Sequence, residues 1–245
     1  MIRKTKFINK FAFDNEGTLD YLLDNRTEYS KLYKSEKYFF KYIQDSKSFL
    51  ELGCGIGNLI PVLGQKTKIR DYTGLDISKY MINKARELNQ QIDVGFLGRY
   101  LNIKKKFILY NGKKINLKKK IDTSFSFGTL IYCKNYKSLI KQMLSASKKV
   151  CIFDLRLTFN NTIINPSKSY QLIQGKKINY NIINFYEALE HIRSITKEKY
   201  EINVYGYYDY PATNVITMEK KILMAVFCIN KEKKFKFKIK IEDEK

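Results

Sequence analysis

The sequence of 245 residues predicts an α/β fold with a doubly wound, mostly parallel sheet. Three observations predict it. Residues 49–58 begin as a short apolar run and continue with three glycines. An acidic residue follows the last of these glycines after nineteen positions. Later in the chain, apolar strand-like segments alternate with helical patterns. The first two features describe a strand, a tight turn and a helix that together hold a nucleotide-type ligand.

The first element is a helix predicted over residues 27–43 from its apolar periodicity. Tyr29 and Tyr33 lie beside the apolar stripe of this helix. We interpret residues 1–47 as an N-terminal helical lid segment that closes over the site, with these two tyrosines facing the substrate.

The glycine-rich stretch reads Phe-Leu-Glu-Leu-Gly-Cys-Gly-Ile-Gly-Asn over residues 49–58. Glycine adopts positive φ without steric cost, and it lets backbone N–H groups come close to a bound molecule. We expect a helix to begin near Asn58, because Pro61 is tolerated only in a first turn. The dinucleotide fingerprint needs a glycine at position 58, so a nicotinamide cofactor is disfavoured.

The second strand is predicted to end at Asp76, in the stretch Tyr-Thr-Gly-Leu-Asp-Ile-Ser of residues 72–78. Ser78 is a typical N-cap for the helix that follows. In a β-α-β unit, an acidic residue about 20 positions past the glycines is placed to bind the ribose of a nucleotide.

These two motifs resemble those of the class I S-adenosylmethionine-dependent methyltransferases. The resemblance implies a Rossmann-like sheet with its last strand antiparallel, and S-adenosylmethionine as the cofactor. Glu51 suits the cationic amino group and sulfonium, Asp76 the two ribose hydroxyls, and Ile77 the adenine. The implied cofactor contacts are Glu51, Gly53, Cys54, Gly55, Gly57, Asn58, Asp76, Ile77, Asn111, Ser126 and Phe127.

Residues 107–112 and 121–128 are similar to the third and fourth strands of that family. The family has an acidic residue where Asn111 stands, and the carbonyl oxygen of Asn111 can still accept a hydrogen bond from the adenine amine. The connection over residues 89–106 is longer and more basic than necessary, which predicts an inserted helix or loop.

The remaining elements complete a sheet of seven strands. A helix is expected over residues 136–144, an apolar strand over 150–154, and a helix capped by Asn184 with Glu187 three residues later. Two final strands are expected over residues 202–208 and 222–229. Residues 158–183 look irregular, and we interpret them as an insertion at the acceptor site.

Catalytic groups are expected beyond the carboxyl ends of the strands. Tyr132 follows the fourth strand, and Asp154 and Arg156 end the fifth, so these three are the catalytic candidates. Asp154 and Arg156 also suit a structural ion pair at a strand end. His191, the only histidine, lies roughly 10 Å along its helix from the predicted site and is interpreted as a packing or surface residue.

The formal net charge of +22 is compatible with nucleic-acid binding, because basic residues release counterions from phosphates. Only 7 of the 46 basic residues are arginines, however, and 46 − 7 leaves 39 lysines. The family's Asp/Asn-Pro-Pro-aromatic motif, which marks methylation of planar nitrogens, is replaced here by Ser-Phe-Ser-Phe-Gly at 124–128. Nucleic acid is therefore a possible partner, but not the favoured one.

The chain has no C-x-x-C spacing, no histidine cluster and no apolar run long enough to cross a bilayer. We expect a single cytoplasmic methyltransferase domain over residues 1–245, with reduced cysteines and no metal site. The sequence does not determine the oligomeric state. The basic tail, residues 231–245, alternates with period two over 235–242, which indicates an extra edge strand, a membrane or partner contact, or a disordered tail.

The expected function is methyl transfer to a hydroxyl or amine of a small molecule, such as a nucleotide-linked sugar. Two alternatives stay open: an RNA methyltransferase, and a methyltransferase-like protein that binds the cofactor without catalysis. A nicotinamide enzyme ranks third.

Overall fold

The computed structural model describes residues 12–91 and 103–242. Within this part of the chain, nine strands form one sheet and three short strands form a second, smaller sheet. The strands are β1 Ser48–Leu52, β2 Asp71–Asp76, β3 Lys104–Leu109, β4 Ile121–Ser126, β5 Ser147–Thr158, β6 Tyr170–Ile173, β7 Lys176–Asn179, β8 Ile183–Asn184, β9 Glu201–Asp209, β10 Val215–Ile216, β11 Ile222–Asn230 and β12 Lys236–Glu242. The helices are α1 Glu16–Asp24, α2 Lys34–Phe39, α3 Ile60–Lys66, α4 Lys79–Gln91, α5 Tyr136–Ala146 and α6 Phe185–Thr196.

The large sheet has the strand order β12-β9-β11-β5-β4-β1-β2-β3, and β8 pairs with the end of β5. Strands β1 to β5 are parallel to one another, while β11 is antiparallel to both β5 and β9. The predicted seven strands and the antiparallel strand are therefore confirmed. The tail adds an edge strand, because β12 pairs in parallel with β9.

Helices cover both faces of the sheet, as in a doubly wound fold. Apolar side chains of α5 and α6 pack on one face, and those of α2, α3 and α4 pack on the other. Neighbouring residues of a strand serve opposite faces, so Leu50 of β1 belongs to the first core and Phe49 to the second. This packing leaves the carboxyl ends of β1, β2, β4 and β5 at one edge.

Two helix caps predicted from the sequence are confirmed. The Ser78 hydroxyl accepts a hydrogen bond from the Met81 backbone N–H at 2.9 Å, and the Asn184 side chain accepts one from the Glu187 N–H at 3.0 Å. Helix α3 begins at Ile60, with Leu59 rather than Asn58 as its N-cap, and Pro61 lies in its first turn.

The single helix predicted over residues 27–43 is wrong. The structure has a 3₁₀ turn over Tyr29–Lys31, then α2, then a second 3₁₀ turn over Phe40–Tyr42. The break occurs because the Glu36 carboxylate accepts a hydrogen bond from the Tyr33 backbone N–H, which starts a new helix there. Helix α1 precedes this region, and residues 1–11 lie outside the described part of the chain.

Residues 158–183 are not irregular throughout, as we had expected. Strands β6 and β7 form a hairpin through Gln174 and Gly175, which both have positive φ, as a tight two-residue turn requires. Strand β10 joins this hairpin to make the small sheet. The predicted insertion over 89–106 lies largely outside the described residues, as do tail residues 243–245.

His191 lies on α6, and its Nε2 atom is 3.0 Å from the Lys137 carbonyl oxygen, as suits a packing residue. In the part of the chain that the structure covers, no helix is both long and apolar enough to span a bilayer.

Candidate functional site

The glycine turn after β1 needs its glycines for two separate reasons. Gly53, Gly55 and Gly57 have φ of 78°, 52° and 76°, a region that other residues rarely adopt. A β carbon at Gly53 would also lie 1.9 Å from Thr129 Oγ1. The Gly53 backbone N–H donates to the Leu75 carbonyl at 2.7 Å, which ties the turn to the end of β2.

Two carboxylates flank this turn, the buried Glu51 and the partly buried Asp76. Glu51 accepts a hydrogen bond from the Tyr72 hydroxyl, and burial raises the pKa of Glu51 to about 8. Asp76 accepts from the Gly55 N–H at 2.9 Å and from the Ser78 N–H at 2.8 Å, and burial raises its pKa as well. The donors of these hydrogen bonds are all neutral, so a cation nearby would stabilise the charged form of each acid.

The side chains of three predicted cofactor residues are engaged within the protein. Cys54 is buried and its Sγ lies 2.6 Å from where a β carbon of Gly74 would be, so only its backbone faces the turn. The Ser126 hydroxyl donates to the Leu52 carbonyl at 2.9 Å. The Asn58 amide donates to the Asn25 carbonyl at 2.6 Å.

The other three predicted cofactor residues lie at the same edge. Ile77 is 38% exposed just beyond β2. Asn111 is exposed at the end of β3, and its Oδ1 accepts from the Lys113 N–H at 2.9 Å, closing its own turn. The Phe127 ring packs 5.7 Å from the Phe125 ring.

The three catalytic candidates come together beyond β4 and β5. Asp154 accepts from the Gly128 N–H and from Arg156 Nη1, each at 2.8 Å, and Arg156 Nε donates to the Tyr180 hydroxyl at 3.3 Å. The Tyr132 ring lies 6.3 Å from the Tyr180 ring. The Tyr132 hydroxyl donates to Gln171 of β6 at 2.6 Å, and burial raises the pKa of Tyr132.

A second buried ion pair, which the sequence analysis missed, joins this group. Arg26 Nε and Nη2 each lie 2.8 Å from Glu36 Oε1, and the exposed fractions of the two side chains are 13% and 2%. Glu36 falls on the apolar stripe Leu32, Phe39, Ile43 at helical spacing, and that position was the available signal of its burial.

A cavity of about 10 Å³, the size of one water molecule, lies between the two ion pairs. Its polar lining comes from α2, β5 and β9 and from the residue before α2. These lining residues are Tyr33, Ser35, Glu36, Asp154, Arg156 and Tyr207. Of the two predicted lid tyrosines, Tyr33 therefore borders the site, while Tyr29 packs on Phe40 with the Lys66 ammonium over its ring.

Residues 12–28, which we call the N-terminal cap, cover the carboxyl edge of the sheet. They lie over the glycine turn and also over the group of catalytic candidates. The Leu22 side chain lies 2.8 Å from where a β carbon of Gly55 would be, and Asp14 accepts a hydrogen bond from Ser78 Oγ. The Phe13 ring lies 5.2 Å from the Tyr132 ring. The glycine cradle and its two acids fit a cationic adenosyl amino acid, provided that Leu22 moves away from the turn.

Comparisons with known proteins agree with this geometry. A family model described as a methyltransferase domain matches residues 24–199. No curated protein matches the sequence.

Three solved structures illustrate the similarity of fold. An S-adenosylmethionine-dependent methyltransferase from Clostridium acetobutylicum is 15% identical over 91% of this chain and 98% of that chain, with a TM-score of 0.53. The N-terminal domain of EvdMO1 with SAH bound is 12% identical over 79% of this chain and 78% of that one, with a TM-score of 0.54. The small RNA methyltransferase HEN1 is 14% identical over 85% of this chain and 26% of that one, with a TM-score of 0.58.

The family match spans more than half of the chain and includes the glycine turn, both flanking acids and the ion pairs. It confirms the methyltransferase class that the sequence predicts, and the predicted S-adenosylmethionine cofactor agrees with the SAH bound in the EvdMO1 structure. The chain belongs to the family of methyltransferase domains.

Proposed function

We propose that this protein transfers a methyl group from S-adenosylmethionine to a hydroxyl or amine of a small molecule, such as a nucleotide-linked sugar. The proposal rests on how the acceptor side, which is the region around Tyr132, Asp154 and Arg156, is covered by the rest of the protein. The cap and α2 cover Asp154 and Arg156, the β6–β7 hairpin reaches Tyr132, and the narrow recess between the ion pairs measures only about 10 Å³. An enclosed site of this kind suits a small acceptor better than the surface of a folded macromolecule.

The residues that would hold the cofactor are the glycine turn, Glu51 and Asp76. The cofactor would supply a methyl group bound to a positively charged sulfur, and a lone pair of the acceptor would take that methyl group. Glu51 would face the cationic groups, and Asp76 would meet the ribose hydroxyls with the lone pairs that its two backbone bonds leave free. Because Asp76 also holds the Gly55 N–H, it would link the ribose site to the shape of the turn.

On the acceptor side, the predicted catalytic residues are better suited to positioning than to removing a proton. Both oxygens of Asp154 already accept hydrogen bonds, and one of them pairs with Arg156. Burial raises the pKa of Tyr132, so its hydroxyl stays protonated at neutral pH and acts as a donor. Most of the rate enhancement would then come from holding the two reactants in line, which supplies roughly 7–11 kcal/mol in favourable cases.

RNA methylation is the second candidate. The net charge of +22 favours an anionic partner, and one structure of similar fold is named as a small RNA methyltransferase. Against it stand the enclosure of the acceptor side and the predominance of lysine over arginine among the basic residues, because bidentate recognition of bases and phosphates favours arginine.

The test is methyl transfer from labelled S-adenosylmethionine to two fractions of a cell extract, one of small metabolites and one of total RNA. We expect saturable labelling in the small-molecule fraction. Asp76→Asn should weaken binding of S-adenosylhomocysteine at least tenfold by calorimetry, because the new amide nitrogen faces a backbone N–H donor. Asp71→Asn at the start of β2 is the matched control and should bind normally.

Labelling of RNA alone would overturn the small-molecule proposal. Tight binding of S-adenosylhomocysteine without labelling of either fraction would instead support the non-catalytic alternative.

A further inference from the structure

The buried charges of the acceptor side balance only because the N-terminal cap supplies one of them. Glu36 and Asp154 are two acids, and Arg26 and Arg156 are two bases, all on largely buried side chains. Three of the four belong to α2 and β5. Arg26 alone comes from the cap.

The surroundings of Arg26 are those of a ligand site for a cationic nitrogen. Its guanidinium donates twice to Glu36 and lies 5.1 Å from the centre of the Tyr33 ring, so it has a carboxylate and an aromatic face. Arg26 Nη2 lies 3.6 Å from where a β carbon of Gly128 would be, at the end of β4. The guanidinium thus lies at the ligand edge of the sheet and not on the outer surface.

The backbone shows that Arg26 is held in this position at some cost. Its φ of 58° is in the left-handed region, which is unfavourable for an arginine without a compensating interaction. The cap itself is weakly packed, since α1 has no fully buried side chain. Residues after it are anchored firmly, with Leu32 and Phe39 buried in the second core.

The cap also lies over the cofactor cradle, where Leu22 contacts Gly55. A cofactor that reaches the glycine turn must displace this part of the cap, and Arg26 lies four residues farther along. Withdrawal of Arg26 would leave Glu36 buried without its cation, which is unfavourable until another cation replaces it.

We propose that Arg26 occupies the recognition site for a cationic nitrogen of the acceptor, so that the acceptor is an amine or a guanidino compound that pairs with Glu36 beside Tyr33 when the cap opens. This inference rests on the proposed function and narrows its acceptor to a molecule that carries a basic nitrogen. The protonated nitrogen has no free lone pair, so it is recognised at Glu36, while a separate neutral hydroxyl or amine of the same molecule takes the methyl group and releases its proton to water. A neutral alcohol would leave the Glu36 charge uncompensated, and an anionic acceptor would be repelled by it.

The experiment measures binding and does not depend on methyl transfer. Thermal unfolding of Arg26→Ala is followed with about 20 mM methylguanidinium chloride or about 20 mM tetramethylammonium chloride, which has the same charge but no N–H donors. Methylguanidinium should raise the midpoint of Arg26→Ala by about 3 °C more than tetramethylammonium does. The wild type, in which Arg26 fills the site, should show no difference between the salts.

Arg193→Ala is the matched control, because Arg193 also pairs with a glutamate, Glu198, but on the surface. It should respond equally to both salts. Arg26→Gln replaces Arg26→Ala if the alanine variant does not fold, since glutamine keeps an N–H donor for Glu36. Glu36→Gln introduced into the responding variant should abolish the response.

Equal shifts with the two salts in the Arg26 variants, or the same selective rise in Arg193→Ala, would overturn the inference. A selective rise in a protein that methylates nothing would uphold the nitrogen site and count against the proposed function. Methyl transfer only to alcohols that lack a basic nitrogen, with no selective rise in the midpoint, would support the proposed function and count against the nitrogen site.

Discussion

The cofactor side and the acceptor side of this site each hold two acids, all of them buried except the partly buried Asp76, but the two sides neutralise these acids differently. Glu51 and Asp76 accept hydrogen bonds from a tyrosine hydroxyl and from backbone N–H groups. Glu36 and Asp154 each pair with an arginine at 2.8 Å. The acids beside the glycine turn therefore retain the capacity to meet a cationic ligand, while those on the acceptor side are already matched.

This difference separates two uses of a buried carboxylate. An acid that accepts from neutral donors can lose its charge by taking a proton, and burial raises the pKa of Glu51 in just this way. An acid paired with arginine cannot be removed without leaving a buried cation behind, because arginine does not deprotonate in proteins. The acceptor side should therefore respond far more strongly to loss of one acid than the cofactor side.

The largest expected effect comes from Asp154→Ala, which breaks the buried pair and leaves Arg156 without its partner. We expect the free energy of unfolding to fall by about 3–5 kcal/mol, as is usual when one member of a buried ion pair is removed. Urea unfolding monitored by circular dichroism measures this. Asp45→Ala, which breaks the exposed pair with Lys68, is the control and should change nothing measurable. A similar small change in both variants would mean that the buried pair of the acceptor side behaves like an exposed one.

The next effect tests the glycine turn on the cofactor side. Gly53→Ala should lower the unfolding free energy by about 3 kcal/mol or more, because it combines a positive φ with overlap of Thr129. Rotation of the Thr129 side chain does not relieve this overlap, since its β carbon would lie 2.6 Å away. Gly175→Ala shares a positive φ of 74° with open space around it and should cost only about 1 kcal/mol. Equal losses would mean that backbone conformation alone requires the glycine.

The structural elements of the cofactor side could be predicted from the sequence because their signals are local. The glycine turn, the Ser78 cap and the acid at the end of β2 each depend on residues within a few positions. The alternation of side chains along β4 also determines which face of the sheet each residue lies on. Phe125 and Phe127 pack in the second core, so Ser126 lies on the opposite face.

The acceptor side was harder to predict because its partners meet only through the fold. Arg26 and Glu36 are ten residues apart, and a bend in the chain brings them together, where we had expected a continuous helix from residue 27. Strands β6 and β7 have only four residues each, too few for a periodic pattern, so the turn at Gln174 and Gly175 was a better signal than hydrophobicity. Contacts that depend on the N-terminal cap have no periodic pattern to indicate them.

The smallest expected effect at each step of one pH unit is a pH dependence that distinguishes Glu51 from an ordinary acid. The pKa of Glu51 is about 8 in the folded protein, whereas a glutamate in an unfolded chain has a pKa of about 4.3. Between these values the folded state binds one more proton than the unfolded state, so Glu51 makes the protein less stable as pH rises. The slope is at most about 1.4 kcal/mol per pH unit. Glu51→Gln should therefore gain stability relative to the wild type from pH 5 to pH 8.

Glu187→Gln is the control for this measurement, because hydrogen bonds from Lys137 and Thr162 lower the pKa of Glu187. The stability that Glu187 contributes is lost only as pH falls through its folded pKa, below the range tested, so its difference from the wild type should stay flat from pH 5 to pH 8. Urea unfolding at each pH measures both variants. A flat difference for Glu51→Gln as well would mean that Glu51 is already ionised without a ligand, and the cofactor side would then need a fixed cation just as the acceptor side does.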